Sequence, residues 1–184
     1  HYWTGRLVSF LGTLITAAAI SWAVAGRGMP SRRTSRPWLA VLSGLAFLAS
    51  NYVYHVGPLF RQHMFMVMFE TLAIVWLAVT IDREEADGRQ RNKSLLVVMA
   101  LLLAAGYTKQ LAYATVAAVF IFLFLRNPKR AILWGIPFAA VTGLIFLGIN
   151  LVTNGEWMLN TVTANLNPFI PGQAEGLFRQ WFQL

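Results

Sequence analysis

Six apolar blocks constrain this chain more than any motif in it: Leu7 to Ala25, Trp38 to Tyr54, Met64 to Ile81, Leu95 to Ala105, Leu111 to Leu125 and Ala131 to Val152. Long apolar runs separated by short polar stretches are what a bilayer demands. A spanning helix needs about 20 predominantly apolar residues, and backbone polar groups in hydrocarbon must be satisfied internally. The predicted fold is therefore all-α. A polytopic transmembrane helix bundle of about six membrane segments, two of them forming one short hairpin, covers residues 1–152. An extracytoplasmic, interfacial segment follows over residues 153–184. Only 12% of the residues are charged, against about 25% in soluble domains. There is no cysteine, which excludes disulfides and thiolate metal sites among these residues. His1 leads into an apolar run with no basic start and no small-residue cleavage site, which predicts a piece of a longer protein rather than a signal peptide.

The fifteen Lys and Arg residues are placed unevenly. Eleven fall in alternate loops: Arg27, Arg32, Arg33 and Arg36; Arg83, Arg89, Arg91 and Lys93; Arg126, Lys129 and Arg130. The other four, Arg6, Arg61, Lys109 and Arg179, fall on the opposite side. The positive-inside rule predicts that the three basic loops are cytoplasmic and both ends of the chain extracytoplasmic. The same split accounts for the net charge of +8 with no nucleic acid as partner. The run DREEADGRQRNK, residues 82–93, is expected to be a solvated loop.

A lysine interrupts the longest apolar stretch, in GYTKQ (residues 106–110). One continuous helix over residues 95–125 would put loops 82–94 and 126–130 on opposite faces of the membrane. Their shared basic character predicts a turn at GYTKQ instead. The arms, about 17 and 23 Å as helix, fall short of a hydrocarbon core about 30 Å thick. The tip carrying Lys109 is therefore expected to be recessed, lining a cavity open to the outer side. Snorkelling alone accounts for many lysines near helix ends. Here Tyr107, Thr108 and Gln110 add hydrogen-bonding groups, and the start of the following helix favours an anion, so a phosphate or carboxylate is the expected ligand.

Two further polar clusters fall on that side. NYVYHVGPLFRQH (residues 51–63) sets Tyr52, Tyr54, His55, Arg61 and His63 around a Gly-Pro turn. Interfacial placement explains the tyrosines. Arg61 and His63 are expected to join Lys109 and Gln110 around one hollow that also receives residues 157–169. Glu70, the one acid deep in an apolar block, is expected to face the bundle and be paired; a single acid makes no proton relay. Residues 153–169 carry a polar comb of Asn160, Thr161, Thr163, Asn165 and Asn167 beside aromatic side chains. Carbohydrate sites use such groups, and so do plain surface loops.

In order and spacing, GRLVSFLGTL, YVYHVGPLFRQH, GYTKQ and LVTNGEWMLNTVTANLNPF resemble the bacterial membrane glycosyltransferases of the GT-C class, in particular the protein-mannosyltransferase-like (family 39-like) group. The resemblance covers nearly all of the chain, with TKQ and NTVTANLNPF the most telling pieces. It implies an enzyme of the bacterial cytoplasmic (inner) membrane. Such an enzyme moves a sugar, with inversion, from a polyprenyl-phosphate donor to an acceptor on the extracytoplasmic side. It also implies that Lys109 and Gln110 contact the donor phosphate. The expected substrate-binding set is Lys109, Gln110, Arg61, His63, Tyr54 and Asn165. The family's catalytic carboxylate lies in a large first extracytoplasmic loop, and this chain is read as beginning beyond it, so no catalytic residue is assigned. Related sequences often carry Arg-x-Asp where this one has Arg61-Gln62-His63, which removes a metal-ligand or hydrogen-bond-acceptor candidate. No cofactor is assigned, and a divalent cation is not assignable here. The expected partners are the lipid bilayer and the polyprenyl-phosphate-linked sugar. The alternative is a catalytically silent relative that packs with other membrane subunits in a larger complex. Gly12, Ala17 to Ala19, Gly44, Ala139, Ala140 and Gly143 would permit close helix contacts in either case. A transporter fits less well, because no inverted repeat or paired broken helix is visible.

Overall fold

A computed structural model describes residues 2–26, 37–57, 59, 62–165 and 171–182. Every regular element among them is helical: α1 (Tyr2–Val24), α2 (Pro37–Ala49), α3 (Asn51–Val56), α4 (His63–Asp87), α5 (Asn92–Thr108), α6 (Tyr113–Arg126), α7 (Pro128–Val152), α8 (Glu156–Thr161) and α9 (Pro171–Phe182). Short 3₁₀ turns at Gln110–Ala112 and Thr163–Asn165 complete the set. The first basic loop, with Arg27, Arg32, Arg33 and Arg36, lies outside the described residues, as do Arg61 and Asn167.

All six apolar blocks are helical, and three helices, α1, α4 and α7, are long and apolar enough to cross a membrane. With 23, 25 and 25 residues, they reach about 34 to 38 Å at 1.5 Å per residue. The helices α2, α5 and α6 are shorter and also apolar. The second block is not one segment, because Ser50 leaves the helix (φ −62°, ψ 137°) and its hydroxyl accepts the N–H of Val53 to start α3. Hydroxyls inside the long helices are satisfied locally. Thr13, Thr16 and Thr80 each donate to the carbonyl four residues back, at 3.0, 2.8 and 2.7 Å, as a segment in hydrocarbon requires.

The residues fall into two units, His1–Phe138 and Ala139–Leu184. The division lies inside α7, just past Pro137. In the first unit, α1 packs on α2 and α4 through small residues. A Cβ on Gly12 would lie 3.3 Å from the Met64 carbonyl oxygen, and one on Gly44 only 2.9 Å from that of Ala17 and 2.2 Å from Ser21 Oγ. Overpacking of this kind costs about 1–3 kcal/mol, more than the roughly 1 kcal/mol that alanine gains over glycine in a helix. Gly44→Ala is therefore expected to lower the thermal unfolding temperature in detergent; a raised one would refute the close approach. The same role is not seen for Gly143, around which nothing comes within 4 Å among the described residues, or for the exposed Ala139 and Ala140.

The main core joins Leu77 and Ile81 of α4, Leu95, Val98 and Leu102 of α5, Val119 and Leu123 of α6, and Ala131 of α7. A smaller cluster of Met66, Ala105 and Ala112 closes the opposite end. Helices α5 and α6 therefore run antiparallel, with GYTKQ at their turn. α7 folds back on α6, placing the rings of Phe120 and Phe138 5.3 Å apart.

Two expected loops are largely helix. α4 continues through the acidic run to Asp87 and is closed by Gly88 in the left-handed region (φ 68°), whose N–H bonds to the Glu84 carbonyl at 2.8 Å. Only Asn127 separates α6 from α7, its Oδ1 accepting the N–H of Arg130 at 3.1 Å, with Pro128 at the first helical position. Most of the 82–93 run is exposed, as expected of a solvated stretch, while Asp82 and Glu84 are not. Arg130 grips Glu84 through two bonds of 2.7 Å, with the side chains only 9% and 11% exposed. Glu84 also accepts the N–H of Arg91 at 2.5 Å, and Arg126 pairs with Glu85 and Arg91 with Asp87. The 82–94 and 126–130 segments thus meet at one end of the bundle, the arrangement their shared basic charge predicts.

The second unit carries the rest of α7, a turn with Asn154 and Gly155 at positive φ, α8 and α9. On α9, exposed Phe178, Trp181 and Phe182 recur at the i, i+3, i+4 spacing of one face. This pattern fits a helix lying in a membrane interface.

Candidate functional site

The site is built at the other end of α4, around the α5–α6 turn. α5 stops at Thr108, whose hydroxyl donates to the Ala104 carbonyl at 2.8 Å. That side chain is therefore committed to its own helix. Lys109 follows in extended conformation (φ −158°, ψ 134°), and the 3₁₀ turn Gln110–Ala112 leads into α6. The turn is tight because Gly106 lets the Tyr113 ring lie against the end of α5. A Cβ there would sit 3.1 Å from the ring. The N–H groups of Ala112 and Tyr113 are used within the turn, on the carbonyls of Lys109 and Gln110, so the start of α6 offers an anion less than the sequence suggests.

Lys109 reaches across to α4, where its Nζ hydrogen-bonds His63 Nε2. An ammonium group only donates, so in this contact Nε2 takes the acceptor role. Both side chains are half-buried.

The first arm of the turn is longer than its apolar residues suggest. The helix ladder runs on through polar positions, giving α5 17 residues, or about 26 Å. From His63 to Glu84, α4 advances about 32 Å, close to the thickness of the hydrocarbon core. The Lys109–His63 pair and the Glu84–Arg130 pair thus stand about one hydrocarbon thickness apart.

The other expected site residues behave differently. Gln110 is exposed beside Lys109. Tyr54 is 71% exposed and sets its ring edge-on to His55 at 5.4 Å; among the described residues it meets neither Lys109 nor His63. Asn165 ends the 3₁₀ turn of the second unit, and Arg61 lies outside the described residues. Glu70 is paired as expected, accepting from the Thr115 hydroxyl of α6 at 2.5 Å, about 10 Å along α4 from His63. Asp82, Glu84, Glu85 and Asp87 all lie at the far end of α4. No carboxylate of the first unit therefore stands beside Lys109 among the described residues, and no group of three His, Asp or Glu that could hold a metal is found among them. Sequence reasoning missed Thr115 and Tyr113. The spacing of Tyr113 seven residues after Gly106 was a usable signal, whereas the Glu70–Thr115 bond left none.

Compared with protein-family models, curated proteins and solved structures, the chain matches none of them.

Proposed function

We propose that this chain is the transmembrane part of a GT-C-type glycosyltransferase in the bacterial cytoplasmic membrane. It moves a sugar from a polyprenyl-phosphate donor to an acceptor on the extracytoplasmic side, with six membrane segments and both chain ends on that side. The observation that supports this best is the electrostatic contrast between the two ends of α4. At one end, Arg91, Arg126 and Arg130 are each matched by a carboxylate. At the other, Lys109 meets His63 and no carboxylate among the described residues of the first unit, so its charge is positioned without a matching acid. A lipid phosphate is a ligand that such a lysine suits. As the acceptor hydroxyl attacks the sugar's anomeric carbon, the bond to the phosphate oxygen breaks and its electron pair stays on the phosphate. Lys109 stabilises that growing charge, and His63 holds the ammonium in place. The hydroxyl proton goes to a general base that is not assigned among the described residues, Glu70 being engaged by Thr115.

The lack of a carboxylate beside Lys109 in the first unit also favours a second reading, a silent transmembrane subunit. Full-length protein in proteoliposomes, given a polyprenyl-phosphate sugar, separates the two. Sugar transfer supports the enzyme; no transfer, with stable co-purification of other membrane proteins, supports the subunit.

Topology has its own test, made simple by the absence of cysteine. Single cysteines at Arg33, Asp87 and Asn127 are expected to be protected from impermeant label added outside and to react after permeabilisation. Labelling of any of them from outside would overturn the orientation.

A further inference from the structure

The end of the first unit opposite Lys109 carries more cations than its own acids can match. Residues 82–93 and 126–130 meet there with seven basic and four acidic side chains. Glu84, Glu85 and Asp87 are taken by Arg130, Arg126 and Arg91, and Asp82 is buried with a partner of its own. No acid remains for Lys93 and Lys129. Both are exposed, with no side-chain hydrogen bond or ion pair among the described residues. They differ in this from Lys109, which is half-buried and meets His63.

Both lysines stand where a negative charge is the natural companion. Lys93 lies in the first turn of α5 and Lys129 in the first turn of α7, and neither turn holds an acid. A helix start carries unpaired N–H groups and the positive end of the dipole, so a lysine there adds to the positive potential. Hydrogen-bond donors are in surplus as well. The buried Nε–H groups of Arg91 and Arg130 find no acceptor among the described residues, and the Arg130 side chain is only 9% exposed.

We propose that this end of the bundle is a docking surface for anionic phospholipid, with Lys93 and Lys129 as its phosphate contacts. The inference rests on the membrane placement of the chain, not on sugar transfer. The position of the patch selects a lipid over a soluble anion. Between His63 and Glu84, α4 covers about one hydrocarbon thickness, so both of its polar ends stand at the level of headgroups. From there a lysine reaches lipid phosphates on its flexible stem. A phosphatidylethanolamine headgroup would bring an ammonium into a patch with surplus positive charge, whereas phosphatidylglycerol brings a phosphodiester alone.

The test is native mass spectrometry of the detergent-purified full-length protein with equal amounts of phosphatidylglycerol and phosphatidylethanolamine. Phosphatidylglycerol adducts should exceed phosphatidylethanolamine adducts. The ratio should fall about fivefold for each lysine removed, the usual contribution of a basic residue beside an anionic leaflet. Lys93→Gln with Lys129→Gln should therefore abolish the preference, and Lys93→Arg with Lys129→Arg should keep it. Thermal unfolding checks each variant, and the single Lys93→Gln and Lys129→Gln changes serve if the double variant does not fold. Millimolar inorganic phosphate should leave the lipid in place; its displacement would mark a soluble-phosphate site and overturn the proposal. Equal retention of the two lipids by the wild type, or an unchanged ratio in the folded double variant, would overturn it too.

Discussion

Arg130→Ala is expected to destabilise the protein by about 3–5 kcal/mol, the effect of breaking a buried ion pair from one side. Alanine removes both 2.7 Å bonds to Glu84 and leaves a carboxylate that is only 11% exposed, with Arg126 the cation still acting on it. Glu84 keeps the backbone N–H of Arg91, which does not balance its charge. The damage should spread, because this pair ties the end of α4 to the start of α7. Removing both charges should be milder, since a buried pair replaced by apolar side chains is often neutral in stability. Glu84→Leu with Arg130→Leu is therefore expected to recover most of the loss, short of the bond to Arg91. Denaturant unfolding in detergent micelles reads both effects. A loss under about 1 kcal/mol in Arg130→Ala would place the pair with exposed ones.

Lys109→Ala should leave the membrane domain folded and cut sugar transfer by about 2–4 kcal/mol of transition-state stabilisation, roughly 30- to 1000-fold in rate. The loss should appear in kcat as well as in kcat/KM, because the contact strengthens as the leaving phosphate gains charge. Lys109→Arg keeps the charge with a different donor geometry and should retain part of the activity. His63→Gln preserves a hydrogen-bond acceptor for the lysine and should be milder than His63→Leu. Membrane expression and thermal unfolding serve as controls. Normal transfer in Lys109→Ala would remove the phosphate role altogether.

The turn at GYTKQ was legible in the sequence because two flanking segments carry the same sign of charge, and no single long helix satisfies both. The length of its first arm was not legible. Counting apolar residues from Leu95 to Ala105 overlooked that the helix ladder continues through Asn92, Lys93 and Ser94 and on to Thr108. The acidic run is solvated over most of its length, but its helical state and its pairing were missed: Glu84 and Glu85 meet Arg130 and Arg126 from more than forty residues away. The break at Ser50 was available in principle, since serine before asparagine is a good helix-capping position, but hydropathy does not see caps. The partnership of Lys109 with His63 depends on how α4 lies beside the turn, which local sequence does not encode. Only the unusual histidine in the Arg61-Gln62-His63 stretch marked the place.

The two polar ends of α4 also make it a gauge of bilayer thickness. In lipids with longer tails, the Lys109–His63 pair would be drawn into hydrocarbon unless the bilayer thinned around it. In lipids with shorter tails, the helices would tilt to hide their excess length. Each ångström of hydrophobic mismatch costs a fraction of a kcal/mol, so a few ångströms suffice to change how freely water and a charged headgroup reach the lysine. If sugar transfer takes place at this turn, its rate should follow the acyl-chain length of the host membrane, and vesicles of graded chain length should modulate it without any change in the protein.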